Sequence, residues 1–148
     1  MDRREFSALL PALFSVLLPE GAAAQETGLP EIVSGVYPPG KQSGSNGHTS
    51  HRYLAGMLKA GNIQLEMHES VQEAGAVHEP VGKHLHNEIW LVREGLCELT
   101  TNGISRMMHP GDVGICCAGD LHYIRNAGDT QCSYFVVTVG PPEPPTQK

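Results

Sequence analysis

The stretch GKHLHNEIWLVREG, Gly82 to Gly95, sets His84, His86 and Glu88 in front of an apolar run that stops on glycine. Imidazole nitrogens and carboxylate oxygens are donors that divalent ions of intermediate softness accept. Glu88 shares strand parity with Trp90 and Val92, so a strand starting near Glu88 points its carboxylate inward with them. His122 follows in GDLHYIRN, on a second segment that can lie alongside the first. His84, Glu88 and His122 then make a set of two imidazoles and one carboxylate. Such a set suits Fe, Mn, Zn or Ni as a divalent ion and leaves positions for a substrate oxygen or O₂. Trp90 is expected to pack inside, beside this site. Without an ion, the same polar groups would hold a sugar, an organic acid or water.

The elements that must position these residues read as short strands. NIQLEMHES alternates, with Ile63, Leu65 and Met67 on one face and Gln64, Glu66 and His68 on the other, which is the period of a half-buried strand. Further strand-like runs follow at Ile89 to Val92, LCELTT, ISRMM, VGICC, LHYIRN and CSYFVVTVG. Asn102-Gly103 marks a hairpin, because both residues tolerate positive φ. Pro110-Gly111-Asp112 marks another turn. No convincing amphipathic helix appears after residue 24. The expected fold is therefore all-β: one antiparallel sandwich or barrel over residues 53–140, with an interior able to hold one small pocket. Residues 25–52 are rich in Gly, Pro, Ser and Asn and read as an extended, flexible arm. The tail 141–148, PPEPPTQK, ends regular structure.

The first 24 residues have the form of an export signal. Arg3 and Arg4 precede an apolar run from Ala8 to Leu18, and Ala22-Ala23-Ala24 offers a cleavage site. The run is too short to span a bilayer as a helix. The paired arginines resemble a twin-arginine signal. The expected location is periplasmic or secreted. The formal charge of -6, without a basic cluster, argues against nucleic acid or an anionic membrane as partner. The four cysteines, Cys97, Cys116, Cys117 and Cys132, contain no CxxC pair, so a zinc ribbon is not expected. They allow three pairings or free buried thiols, and spacing does not choose. Cys116 and Cys117 are adjacent, so one faces in and the other out.

Two glycine-bounded motifs carry a family resemblance. Glu88 and Gly95 match the end of the first cupin motif, G-x5-H-x-H-x3,4-E-x6-G, with His84 at its second histidine. GDVGICCAGDLHYIRN matches the second, G-x5-P-x-G-x2-H-x3-N, at Gly111, Gly119, His122 and Asn126, with Cys117 in place of proline. The chain thus resembles a small single-domain cupin over roughly residues 60–140. That resemblance implies a divalent metal, a small-molecule ligand and often a homodimer, in which an N-terminal segment such as 25–52 crosses to the partner. The first histidine of the motif pair falls on Gly82, which has no ligand atom. His86 and His78 are the neighbours that could replace it. Either His84, Glu88 and His122 bind alone, or His86 swings in as a fourth ligand.

Two functional classes follow. One is a metal-dependent oxygenase or related oxidoreductase acting on a small organic compound. The other is a non-catalytic periplasmic module for a sugar or organic acid. Cupin barrels host both, so whether the chain is an enzyme stays open at this level. His109 is expected to face solvent, while His48, His51 and His68 make no spaced ligand set. Asn126 and Gly119 are expected to be turn fixtures.

Overall fold

Every regular element among residues 28–144, those described by this computed structural model, is a β-strand. The strands are β1 (Ser43–Ser45), β2 (His48–Met57), β3 (Gln64–Gln72), β4 (Asn87–Glu94), β5 (Cys97–Thr101), β6 (Ile104–Met108), β7 (Val113–Cys116), β8 (His122–Asn126) and β9 (Cys132–Gly140). They form a six-stranded sheet, β1-β2-β3-β9-β4-β7, and a three-stranded sheet, β6-β5-β8. All these strand pairs are antiparallel. The all-β antiparallel barrel expected from the sequence is the fold found. No helix among the described residues is long and apolar enough to cross a membrane.

Turn chemistry sets the strand order. Asn102 and Gly103 take φ of 48° and 79° between β5 and β6, as the hairpin dipeptide requires. Asn46 and Gly47 do the same between β1 and β2, with φ of 54° and 78°. That second hairpin corrects the reading of 25–52 as an extended arm. From Ser43 onward the segment is paired: β1 lies against β2, and β2 runs the length of β3. Residues 1–24, where the export signal is expected, lie outside the described residues, as do residues 145–148 of the tail.

The core sits between the sheets. Trp90, Val92, Cys97, Leu99, Met108, Cys116, Ile124, Cys132, Tyr134 and Val136 form one buried cluster. β3 contributes polar rather than apolar groups to this interior. Glu66, Ser70 and Gln72 are buried, while Leu65 and Met67 are only half-buried. Gln72 explains how a polar parity can face inward. Its side-chain N–H donates to the Tyr134 hydroxyl at 2.6 Å, and its amide oxygen accepts from the Asn126 N–H at 2.7 Å. The Tyr134 hydroxyl in turn donates to Glu79 at 2.8 Å. Buried polar groups satisfied this way carry little penalty.

Residues 79–82, read from the sequence as loop, act as a further edge to the small sheet. Gly82 N–H donates to the His122 carbonyl at 2.8 Å, and His122 N–H donates back to Gly82 at 3.0 Å. Glu79 N–H donates to the Ile124 carbonyl at 3.4 Å. This pairing carries the chain across the barrel mouth to His84.

Candidate metal centre

β4 presents Glu88, Trp90 and Val92 to the interior by simple alternation, as parity predicts. β8 presents His122 from the opposite sheet, beside Trp90, with ring centroids 5.4 Å apart. Trp90 is almost wholly buried. His84 arrives from the Gly82 bridge, and a bend at residues 85–86 separates it from β4.

These paths bring three side chains together. The Nε2 of His122 lies 3.2 Å from Glu88 Oε2, and the Nε2 of His84 lies 3.6 Å from Glu88 Oε1. One ligand atom from each of His84, Glu88 and His122 falls within 4.8 Å of the others. Donors that bind an ion from about 2.0–2.2 Å each can stand at such separations.

Gly82 supplies the space between them. A Cβ built there would sit 2.8 Å from the His122 Nε2 and 2.8 Å from the His84 Nε2. The position where the motif expects a histidine is therefore an opening aimed at both ring nitrogens. The residues fit a divalent ion held by two imidazoles and one carboxylate.

His86 stands next to this set. Its ring stacks on His84 with centroids 4.7 Å apart, and its Nε2 is 3.3 Å from Glu88 Oε1, the oxygen that His84 also approaches. Its ligand atoms form a second group with His84 and Glu143. His78 lies elsewhere, stacked on Tyr123 at 4.3 Å and exposed. His109 is exposed beside Asp112. His51 and His68 pair with Glu69 and Glu66 respectively.

The electrostatics are those of a tightly coupled pair. Burial pushes the Glu88 carboxyl up, but His122, His86 and His84 together outweigh it and hold the group below the usual carboxylate range. The Glu88 hydrogen bond raises His122 above an ordinary imidazole, against the effect of burial. On its far side, His122 Nδ1 faces the Asp120 carbonyl at 3.3 Å and Cys116 Sγ at 3.2 Å. With Nδ1–H donating to Asp120, loss of the Nε2 proton on ion binding would free the Nε2 lone pair for the site. Cys116 is buried and Cys117 exposed, the alternation their adjacency implies. Burial, with the charges of Asp120, Glu88 and Cys117, pushes the Cys116 thiol up to about 11, so it stays protonated at neutral pH.

Two features were not read from the sequence. Glu143, in the proline-rich tail, folds back over the site. Its Oε1 accepts from the Leu85 N–H at 2.5 Å and lies 3.2 Å from His86 Nδ1. The second is a polar cluster on the inner face of β2 and β3. Glu66 lies between Arg52 at 3.0 Å and His68 at 2.9 Å. Glu66 and Glu88 both stand opposite Thr138 of β9, so the two carboxylates occupy one row across the barrel. Lys41, Ser43, Ser50, Arg52, Glu66 and His68 line a cleft of about 410 Å³.

An all-β cupin barrel is the class that this fold defines. Residues 68–138 match the family model described as Cupin domain, which supports the cupin superfamily for this chain. No curated protein matches the chain in sequence. Among solved structures it is similar to a Cupin 2 conserved barrel domain protein from Salinispora arenicola, at 26% identity and a TM-score of 0.53, covering 66% of this chain and 80% of that one. KdgF from Halomonas sp. matches with a TM-score of 0.58 at 14% identity, covering 72% and 94% of the two chains. An RmlC-like cupin from Shewanella frigidimarina matches with a TM-score of 0.55 at 16% identity, covering 70% and 83%. The last two likenesses carry the fold alone.

Proposed function

We propose that this cupin holds a divalent ion at His84, Glu88 and His122 and acts as an oxygenase or related oxidoreductase on a small organic substrate. The observation that carries the reading is the approach of two imidazole Nε2 atoms to the two oxygens of one half-buried carboxylate, with Gly82 leaving the adjoining space open. A bound Fe or Mn ion would supply Lewis acidity and a route for electrons between substrate and O₂.

The chain's own residues do the rest. Glu88 balances charge, and the Asp120 carbonyl keeps His122 in the tautomer whose Nε2 faces inward. Trp90 shields one side from water. The separate cleft on β2 and β3, where Lys41 adds a positive charge, has the size of a small-ligand site. We further propose export through the N-terminal segment and a homodimer. Leu91, Val113 and Ile115 support the dimer, since they project together from the outer face of β4 and β7 and are 41%, 64% and 57% exposed.

Metal analysis of protein purified without a metal affinity column tests the reading. Wild type should carry Fe or Mn near one equivalent, and H84A, E88Q and H122A should lose most of it. A folded wild type with no metal, and no uptake on titration, would leave the binding module for a sugar or organic acid as the better reading.

A further inference from the structure

Two of the four cysteines lie where the two sheets are pinched together, away from the His–Glu cluster. β4 ends at Glu94, opposite Ser133 of β9. The chain then turns on Gly95, at φ 74°, so close to β9 that a Cβ there would fall 2.7 Å from the Cα of Cys132. Cys97, two residues on, opens β5 in the other sheet.

The strand partners of the two cysteines are themselves joined. Cys97 stands opposite Asn126 in β8, and Cys132 stands opposite Gln72 in β3. The Asn126 N–H donates to the Gln72 amide oxygen at 2.7 Å, and the Asn126 side chain donates to the Gln72 carbonyl at 3.0 Å. These four residues close a ring across the barrel corner. The sheets stand one side chain apart there, against about 10 Å for two sheets packed face to face. Both cysteine side chains are fully buried.

We propose that Cys97 and Cys132 are a disulfide-forming pair that locks the β4–β5 crossover onto β9, while Cys116 and Cys117 remain thiols. Cys116 and Cys117 point to opposite sides of their strand, and Cys116 is engaged with His122. The bond forms by exchange with a small-molecule disulfide such as oxidised glutathione. One cysteine thiolate attacks a reagent sulfur and expels the first glutathione as a thiolate. The other cysteine, on losing its proton, attacks the mixed disulfide and expels the second. Two electrons pass to the reagent, and the two cysteine protons end on the two released thiols. Because the closed barrel buries both sulfurs, the exchange belongs to folding, before the corner seals. The bond encloses residues 97–132 and stabilises chiefly by restricting the unfolded chain.

The test is to refold the reduced, denatured full chain in a glutathione redox buffer, then count thiols in denaturant and map peptides without reduction. Two thiols should remain, and a cross-linked peptide should join Cys97 to Cys132. The thermal midpoint should exceed that of the reduced protein by roughly 10 °C. C116S/C117S, which keeps only the proposed pair, should refold to a thiol-free protein with the same shift. Four thiols in wild type, two in C116S/C117S, or a cross-link between any other pair would overturn the proposal.

Discussion

Glu88 and His122 come from different sheets, yet the carboxylate Oε2 and the imidazole Nε2 meet at 3.2 Å. β4 aims the first by alternation, and the antiparallel bridge between Gly82 and His122 fixes the second. Each partner alters the other: Glu88 raises His122, and His122 helps hold Glu88 low. The metal-site reading depends on that meeting point staying open on the Gly82 side.

Gly82→Ala tests the opening. No positive φ is needed at Gly82, so the backbone accepts alanine, but the new methyl would crowd both ring nitrogens at 2.8 Å. Metal affinity measured by titration calorimetry should fall about 10–100-fold, comparable with loss of an outer-sphere partner. The thermal midpoint should change little. Unaltered affinity would mean that the ion, if bound, does not use this space.

Glu143 acts on the site through His86 and the Leu85 N–H. Glu143→Gln keeps the shape but weakens the hold on His86. Metal affinity should drop by roughly tenfold, with a smaller effect in the His86→Ala background, where the relay is already gone. Equal losses in both backgrounds would remove His86 from the path.

Acid should weaken the barrel partly through Glu66. Burial raises this carboxyl, and His68 and Arg52 together overcome it, leaving it below its ordinary value. A group depressed in the folded state stabilises fully above its unfolded pKa, about 4.3. That contribution is lost as pH falls towards and through the folded value. Urea unfolding from pH 6 to pH 3 should therefore show a steeper loss below about pH 4.5 for wild type than for Glu66→Gln. Parallel curves would contradict the assignment.

The proposed homodimer can be checked by light scattering. Wild type should show twice the chain mass, and a double change, Leu91→Lys with Ile115→Lys, should give the monomer. A wild-type monomer at working concentration would remove the outer face of β4 and β7 as an interface.

Local signals made much of this fold legible. Asn102-Gly103 gave its hairpin because two adjacent positive-φ residues between apolar runs leave few alternatives. Glu88 and Trp90 were readable because strand parity is a local property. Asn46-Gly47 carries the same turn signal, but its Gly- and Ser-rich flanks resemble a linker. Glu143 was not legible: its partners Leu85 and His86 lie far back in the chain, and its prolines suggested only an end. The inward polar face of β3 was hidden for a related reason. Gln72 is stable inside only because Tyr134 and Asn126 meet it there, and no local pattern announces either partner.

The most direct measurement is an anomalous difference map from crystals of the full chain grown with Mn(II). One strong peak within about 2.3 Å of His84 Nε2, a Glu88 oxygen and His122 Nε2 is the predicted result. No peak there in well-ordered crystals, with the Glu88 carboxylate still hydrogen-bonded to His122, would contradict the account.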